Sequence, residues 1–178
     1  MRNFARFFLA LGFSLGVAEC GEPAPSARQA NWGAACVSGR YWAYGERGDN
    51  FMHPGRACID CHSSWRRGPV FSVAGTIYSA MHEEDDCMGN GGPENARFEV
   101  EITDASGIPF YITANASGNF YTTHRFQLPL RRARVRSRDG RVREMGSPPP
   151  HGDCNACHSR EGADMLGYGP APGRITAP

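Results

Sequence analysis

The pattern Cys-x-x-Cys-His occurs twice in this chain, at residues 58–62 (Cys-Ile-Asp-Cys-His) and at residues 154–158 (Cys-Asn-Ala-Cys-His). This pattern is the attachment signature of haem c. Two intervening residues let both thiols reach the two vinyl groups on one edge of a porphyrin, and the histidine that follows then lies under the iron. The motifs therefore predict two covalent haems. The predicted attachment residues are Cys58, Cys61, Cys154 and Cys157, and the predicted proximal iron ligands are His62 and His158.

Three other interpretations of the cysteine pairs explain less. A thioredoxin-like Cys-x-x-Cys motif belongs in a βαβ unit, and neither pair has that context. Four cysteines could form a zinc site, but zinc would leave the histidine of each motif without a role. A disulfide within each pair would close a strained loop of two residues. Haem attachment is the interpretation that uses every motif residue.

Residues 1–18 have the features of a secretory signal peptide: Arg2 and Arg6, then a short apolar run, then small residues. The run is too short to cross a bilayer, which requires about 20 apolar residues. Cys20 offers an alternative, the lipidated cysteine of a bacterial lipoprotein, although Glu19 stands where a small residue is expected. No later segment is apolar enough to span a membrane. We therefore expect an exported protein in the periplasm, at the outer membrane or on the cell surface, which is either soluble or anchored by a lipid on Cys20.

All 19 basic residues are arginines, and eight of them fall between residues 125 and 143. The formal net charge of +1 gives no indication of a nucleic-acid partner, and none is expected. Arg132, Arg134 and Arg136 alternate along one predicted strand and allow two interpretations. They form a solvated outer sheet face, or they bind haem propionates or an acidic redox protein, because guanidinium groups match carboxylates.

Three cysteines lie outside the motifs: Cys20, Cys36 and Cys87. Cys36 with Cys87 is the natural disulfide, because Cys20 is either lost with the leader or lipidated. An oxidising compartment permits such a bond, although sequence alone does not fix connectivity. The alternative is a pair of buried free thiols.

The segment between the motifs has the pattern of β structure. Residues 70–78 are rich in β-branched and aromatic residues, interrupted by Ala74-Gly75, which suggests a bulge or a crowded backbone. Residues 98–103 alternate between apolar and polar side chains, the period of a half-buried strand. Further strands are predicted at residues 110–113, 120–121, 132–138 and 141–145, with Asp139-Gly140 as the hairpin turn before the last. This pattern predicts a mainly β fold, a small antiparallel sandwich at residues 68–147.

Residues 73–78, 98–107 and 116–121 resemble the carboxypeptidase-regulatory, transthyretin-like (immunoglobulin-like) β-sandwich, a domain with no catalysis of its own. Met52-His53-Pro54-Gly55 and Gly152-Asp153, which precede the motifs, look like small exported multihaem cytochromes of delta-proteobacterial type. The resemblance covers roughly residues 50–178. It implies a sandwich flanked by two loop-rich haem-binding segments, at residues 51–67 and 148–178. Residues 19–50 are expected to form a linker.

The second axial ligand of each iron must come from outside the motifs. His82 is the first candidate, because it follows a strand in a loop beside Cys87. Met145 is the second, because it ends the last strand before the second motif. Met52 is the third, because the glycine-proline turn after it could fold it over the first haem. The competing interpretation is that these are a surface histidine and gap-filling methionines. The remaining histidines and methionines, His151 and Met81 among them, are weaker candidates.

Two classes of function follow. The first is an electron carrier with two saturated haems, whose partners are other redox proteins. The second is a dihaem enzyme, such as a peroxidase, or a ligand sensor, in which one iron stays open. The carrier is preferred, because no catalytic acid–base constellation stands beside either motif. A third interpretation makes the sandwich a surface-binding module and the haem, or zinc, a structural element.

Overall fold

The computed structural model describes residues 35–65, 68–90, 98–165 and 169–178. The expected signal peptide and Cys20 lie outside these residues. Most of the regular structure is β, which confirms the predicted mainly β fold. Two short helices carry the motifs, α1 (Cys58–Trp65) and α2 (Cys154–Cys157). Among the described helices, none has the length and apolarity that a membrane span requires.

Strands predicted from the alternating patterns occur close to their expected positions. The strands are β1 (Val73–Tyr78), β2 (Glu99–Thr103), β3 (Pro109–Thr113), β4 (Asn119–Thr122), β5 (Arg132–Arg136), β6 (Val142–Glu144), β7 (Ala163–Met165), β8 (Gly169–Ala171) and β9 (Ile175–Thr176). They form a sheet of order β4-β1-β9, a sheet of order β3-β2-β5-β6, and the pair β7-β8. The first two sheets contain every predicted strand.

The three-stranded sheet is mixed, whereas the sequence predicted antiparallel pairing throughout. β1 pairs antiparallel with β4 and parallel with β9. β9 follows the second motif, so the C-terminal segment adds a strand to a sheet that was expected to end before residue 148. A strand of two residues has no period that a sequence pattern can show.

The three-stranded and four-stranded sheets share one apolar core. β1 and β4 contribute Val73, Ile77 and Phe120, while β2 and its neighbours contribute Val100, Ile102, Ile112 and Val135. Burial of these side chains supplies most of the driving force for folding, at about 1.5–3 kcal/mol for each large apolar side chain. The two short helices pack against β1, and Cys154 of the second one contacts this core.

β2 is buried on both of its faces. Val100 and Ile102 lie in the core, as the alternation predicted, but Glu101 and Thr103 are buried as well. β2 lies between β3 and β5, and the arginines of β5 cover Glu101 on the other face. From Val100 to Thr103 the strand is therefore covered on both faces rather than half-buried, and Glu99 alone of its residues is exposed.

β1 positions both motifs, because α1 and α2 both pack against it. Every residue of β1 is buried. A Cβ at Gly75 would lie 2.7 Å from the ring of Phe120 and 3.0 Å from the Cβ of Cys154. The sequence predicted either a bulge or a crowded backbone at Ala74-Gly75. The structure has the crowded backbone, and β1 is continuous through these residues.

Candidate haem attachment site

The four motif cysteines lie on the two helices, and all four are thiols rather than disulfide partners. Burial raises the pKa of Cys58 and of Cys154 to about 12. A charge on Cys58 raises the pKa of Cys154 further, so the first cysteine of one motif lies near the first cysteine of the other. A protonated thiol is a poor nucleophile, and Cys58 and Cys154 are therefore slow to oxidise at neutral pH. The structure thus brings the first cysteines of the two motifs into one region as protonated thiols.

Each motif histidine presents one ring nitrogen to a backbone carbonyl. Nδ1 of His62 lies 3.0 Å from the carbonyl oxygen of Pro69, and Nδ1 of His158 lies 2.9 Å from that of Gly173. A carbonyl oxygen only accepts, so Nδ1 carries the proton in both rings. The neutral ring then has its lone pair on Nε2, the arrangement usual for metal-binding histidines. Burial lowers the pKa of His158, although the hydrogen bond to Gly173 opposes this, and the neutral form that a metal requires is favoured.

The second motif holds the first helix by its N-terminus. The carboxylate of Asp153 accepts a hydrogen bond from the backbone N–H of Asp60 at 2.9 Å. This N–H group belongs to the first turn of α1, where no intrahelical acceptor exists. Asp153 thus caps a helix that lies far from it in sequence.

Asn155, inside the second motif, links the same two segments to β1. Its side-chain amide donates to the carbonyl of Arg56, at 2.9 Å, and to Oγ1 of Thr76, at 3.1 Å, while its oxygen accepts the N–H of Thr76 at 3.0 Å. Thr76 Oγ1 also accepts the N–H of Gly55. The amide is buried, and its nitrogen and its oxygen both have hydrogen-bond partners. This network fixes the second motif against the residues that precede the first.

A cavity of about 560 Å³ opens beside the second motif. Its volume is in the range of small-molecule sites, about 300–1,000 Å³. Its lining is mainly apolar and includes the motif residues Cys154, Cys157 and His158, the core residues Val100, Phe120 and Val135, and the prolines Pro149, Pro150, Pro170 and Pro172. The cavity therefore has the size and the apolar lining of a small-molecule site, and it opens beside the thiols and the histidine of the second motif.

Met145, a predicted distal ligand, lines this cavity together with His158. Its backbone N–H donates to the carbonyl of Ala133 at 3.0 Å, so this bond to β5 fixes its backbone position just after the end of β6. Met81 and His151 line the cavity too. The structure thus brings one of the three preferred candidates to the second motif, and it adds two that the sequence ranked lower.

The other two preferred candidates lie elsewhere. His82 is exposed, and its Nδ1 lies 2.7 Å from the carbonyl oxygen of Arg160, outside the lining of the cavity. The described contact of Met52 is made by its carbonyl, which accepts from the side chain of Asn119 at 2.9 Å. Neither contact brings these side chains to a motif histidine.

The first motif has a more open aromatic setting. The ring centroids of His62 and Phe71 are 4.8 Å apart, and those of Phe71 and Tyr121 are also 4.8 Å apart. A Cβ at Gly68 would lie 3.0 Å from His62, so the loop after α1 covers one edge of the imidazole. This loop also supplies the carbonyl of Pro69, and it sets the orientation of the ring.

The predicted arginine face surrounds a buried carboxylate. Arg132, Arg134 and Arg136 all lie within 3.4 Å of Glu101, whose side chain is 4% exposed. Arg134 also pairs with Glu144 at 3.1 Å. These arginines are therefore largely committed to carboxylates of their own sheet.

Arg134 lines the cavity of the second motif, and so do two arginines that were not among the predicted contacts, Arg143 and Arg174. Arg143 lines the cavity and donates to Oγ1 of Thr176 at 2.8 Å. Arg174 is buried and donates to the carbonyls of Glu83 and Gly55, and its guanidinium also pairs with Asp85. Buried guanidinium groups are retained when they are fully hydrogen-bonded. Residues 83–86 (Glu-Glu-Asp-Asp) form an acidic loop. Arg174 joins this acidic loop to the segments that contain the two motifs.

Cys36 and Cys87 form the expected disulfide, with Cα atoms 5.4 Å apart. Glu83 lies with them in a group of potential metal ligands. Both sulfurs are used by the disulfide, and Oε1 of Glu83 accepts the N–H of Val37 at 2.8 Å. The group therefore fastens residues 36–42 to the acidic loop rather than offering a vacant set of ligands.

No protein-family model matches this chain, and comparison with curated proteins and with solved structures also finds no match. Function is therefore argued from the motifs and from the geometry around them.

Proposed function

We propose that this chain is an exported dihaem c-type cytochrome that transfers electrons between other redox proteins. The observation that carries the proposal is the shared arrangement of the two motifs. In each one, a Cys-x-x-Cys pair of thiols is followed by a histidine whose Nδ1 faces a backbone carbonyl, which leaves Nε2 for a metal. A zinc site would not require both histidines to be oriented in this way.

The residues fit haem c at both motifs. Cys58 and Cys61 would hold one macrocycle and Cys154 and Cys157 the other, with His62 and His158 as proximal ligands. When bound, each haem supplies one-electron redox chemistry. The chain's own residues orient the imidazoles and, at the second motif, provide an apolar cavity that limits the access of water.

Electron transfer is preferred over catalysis because a candidate sixth ligand is already present. Met145 lines the cavity on a backbone position fixed by β5. A filled coordination shell around the iron suits an electron carrier, because the ligands move little when the iron changes oxidation state. The enzyme or ligand-sensor alternative keeps one observation in its favour: His151 and Arg143 share the same cavity and could act on a molecule bound at an open iron.

We further propose that the two larger sheets form a transthyretin-like sandwich that carries both haem segments on β1. Their common core and their strand pairing support this proposal. The buried disulfide is consistent with export to an oxidising compartment. Glu101 and Glu144 offset two of the three positive charges of the arginine face, which leaves less charge there for an acidic partner.

The test is maturation of the full chain in a periplasm that contains haem-attachment enzymes. We expect two haems per chain that resist acid–acetone extraction, and absorbance spectra that change on reduction. The variants C58A/C61A and C154A/C157A should each retain one haem. The control S63A, at an exposed position on α1, should retain both. Extraction of all haem from the unaltered protein, or zinc bound in its place, would overturn the proposal.

A further inference from the structure

Asp153 stands between the two attachment sites. It directly precedes Cys154, yet its carboxylate binds the first turn of α1, the helix that carries Cys58 and Cys61. Its charge acts on the thiols of Cys58, Cys154 and Cys157, which belong to both motifs. One carboxylate therefore lies within electrostatic reach of three of the four attachment sulfurs.

The burial of Asp153 strengthens the effect of its negative charge on the groups around it. The residue is 7% exposed and lines the cavity of the second motif. One carboxylate oxygen, Oδ2, caps α1, whereas Oδ1 is buried with no hydrogen-bond partner in the described part of the chain. Leaving a buried oxygen unpaired is unfavourable, so capping alone does not account for a carboxylate at this place. A buried charge is also screened far less by solvent and salt than a surface charge.

We propose that Asp153 is a positioning residue shared by both haems, which fixes the helix of the first site and whose negative charge lowers the reduction potential of both irons. The inference rests on the proposed function. Oxidation adds one positive charge at an iron, and a nearby carboxylate stabilises that charge. Because one group serves both sites, the two potentials move together when its charge is removed.

The two roles can be separated by substitution. Asn is as good a helix cap as Asp, but it carries no charge, whereas Ala supplies neither the cap nor the charge. D153N should raise both midpoint potentials and leave the unfolding temperature nearly unchanged. D153A should raise both potentials and also destabilise the protein. Should D153N not accumulate, D153S, which also caps and is uncharged, carries the same expectation.

The control is E161Q, which removes a carboxylate close to the second motif in sequence but 76% exposed. Solvent screens that charge, so both potentials should stay at their original values. The measurement is a spectroelectrochemical titration at mildly alkaline pH, with haem content determined for every variant. If D153N holds two haems but shifts neither potential, or shifts only one, the inference is overturned. Absence of covalent haem from the unaltered protein would instead overturn the proposed function.

Discussion

Gly75 on β1 passes Cys154 so closely that a Cβ at Gly75 would lie 3.0 Å from the Cβ of that cysteine. The same Cβ would lie 2.7 Å from the ring of Phe120, a fully buried core residue. One attachment cysteine therefore rests directly on the core, and it can do so because the strand beneath it has no side chain at this position.

The variant G75A should accordingly destabilise the protein. Overpacking a well-filled core costs about 1–3 kcal/mol, because neighbouring side chains must leave their preferred rotamers. Urea unfolding, followed by tryptophan fluorescence, measures the loss. The matched control is G48A, since a Cβ at Gly48 would meet no atom within 4 Å. Equal stabilities for G75A and G48A would show that the core accommodates the added methyl group without strain.

The disulfide between Cys36 and Cys87 should contribute about 2–5 kcal/mol, the range typical of small secreted domains. It joins residues 51 apart in sequence and ties the described N-terminal segment to the acidic loop. Mass spectrometry of unreduced peptides should find Cys36 and Cys87 linked. The double variant C36A/C87A should unfold at a lower urea concentration than the oxidised protein, and a reductant that spares the thioethers should not change it further. Alkylation of both residues as free thiols in the unaltered protein would rule the bond out.

Much of the β structure could be predicted from local pattern. Val100 and Ile102 alternate with polar residues, and Asp139-Gly140 is a strong hairpin signal. Gly140 has a positive φ of 87°, and the N–H of Ser137 donates to the carbonyl of Arg141 across that turn. These features depend only on neighbours in sequence, so the sequence displays them directly.

The supports of the motifs could not be predicted in this way. Pro69 and Gly173 orient the motif histidines through backbone carbonyls, and a backbone carbonyl leaves no mark on residue identity. Asp153 caps a helix 93 residues away, and Arg174 reaches Gly55 across 119 residues. Such contacts are fixed by the folded topology. The motifs therefore indicated the attachment chemistry, but only the structure places the groups around it.

Stability should fall in acid through Asp86. Its carboxylate lies 2.8 Å from Nδ1 of His53 and 2.6 Å from the guanidinium of Arg56. Burial opposes ionisation, but these hydrogen bonds and the nearby charges outweigh it and lower the pKa of Asp86 below its usual value of 3.8. A lowered native pKa gives a contribution that is complete above the unfolded value and is lost as the pH falls through the native value.

The variant D86N should therefore be less stable than the unaltered protein at neutral pH, by about 2 kcal/mol, the size of a hydrogen bond to a charged group. The difference in the free energy of unfolding between D86N and the unaltered protein should shrink as the pH falls below 3.8, the usual pKa of this carboxyl group. Urea unfolding at a series of pH values measures it. E161Q, which removes an exposed carboxylate, should have the same stability as the unaltered protein at every pH. A stability difference that stays constant into acid would contradict the assignment.

The sixth ligand of the second iron decides between carrier and enzyme. Met145 lines the cavity with His158, whereas the contacts of His82 lie outside it. A thioether ligand raises the potential relative to a second histidine. We therefore expect two low-spin ferric haems at neutral pH in the unaltered protein. M145A should convert one haem to a high-spin form or lower its potential, and M145H should keep that haem low-spin at a lower potential.

The control for this series is M81A, because Met81 lines the same cavity on a different segment and fills space equally well. Optical and electron paramagnetic resonance spectra report the spin state, and a redox titration reports the potentials. H82A is expected to leave both haems unchanged, since Nδ1 of His82 faces the carbonyl of Arg160 away from the cavity lining. A spin change in M81A but not in M145A would transfer the role to Met81. A high-spin haem in the unaltered protein that binds carbon monoxide on reduction would contradict the electron-carrier proposal and support an enzyme or a ligand sensor. His151 and Arg143 would then be the groups beside the open iron.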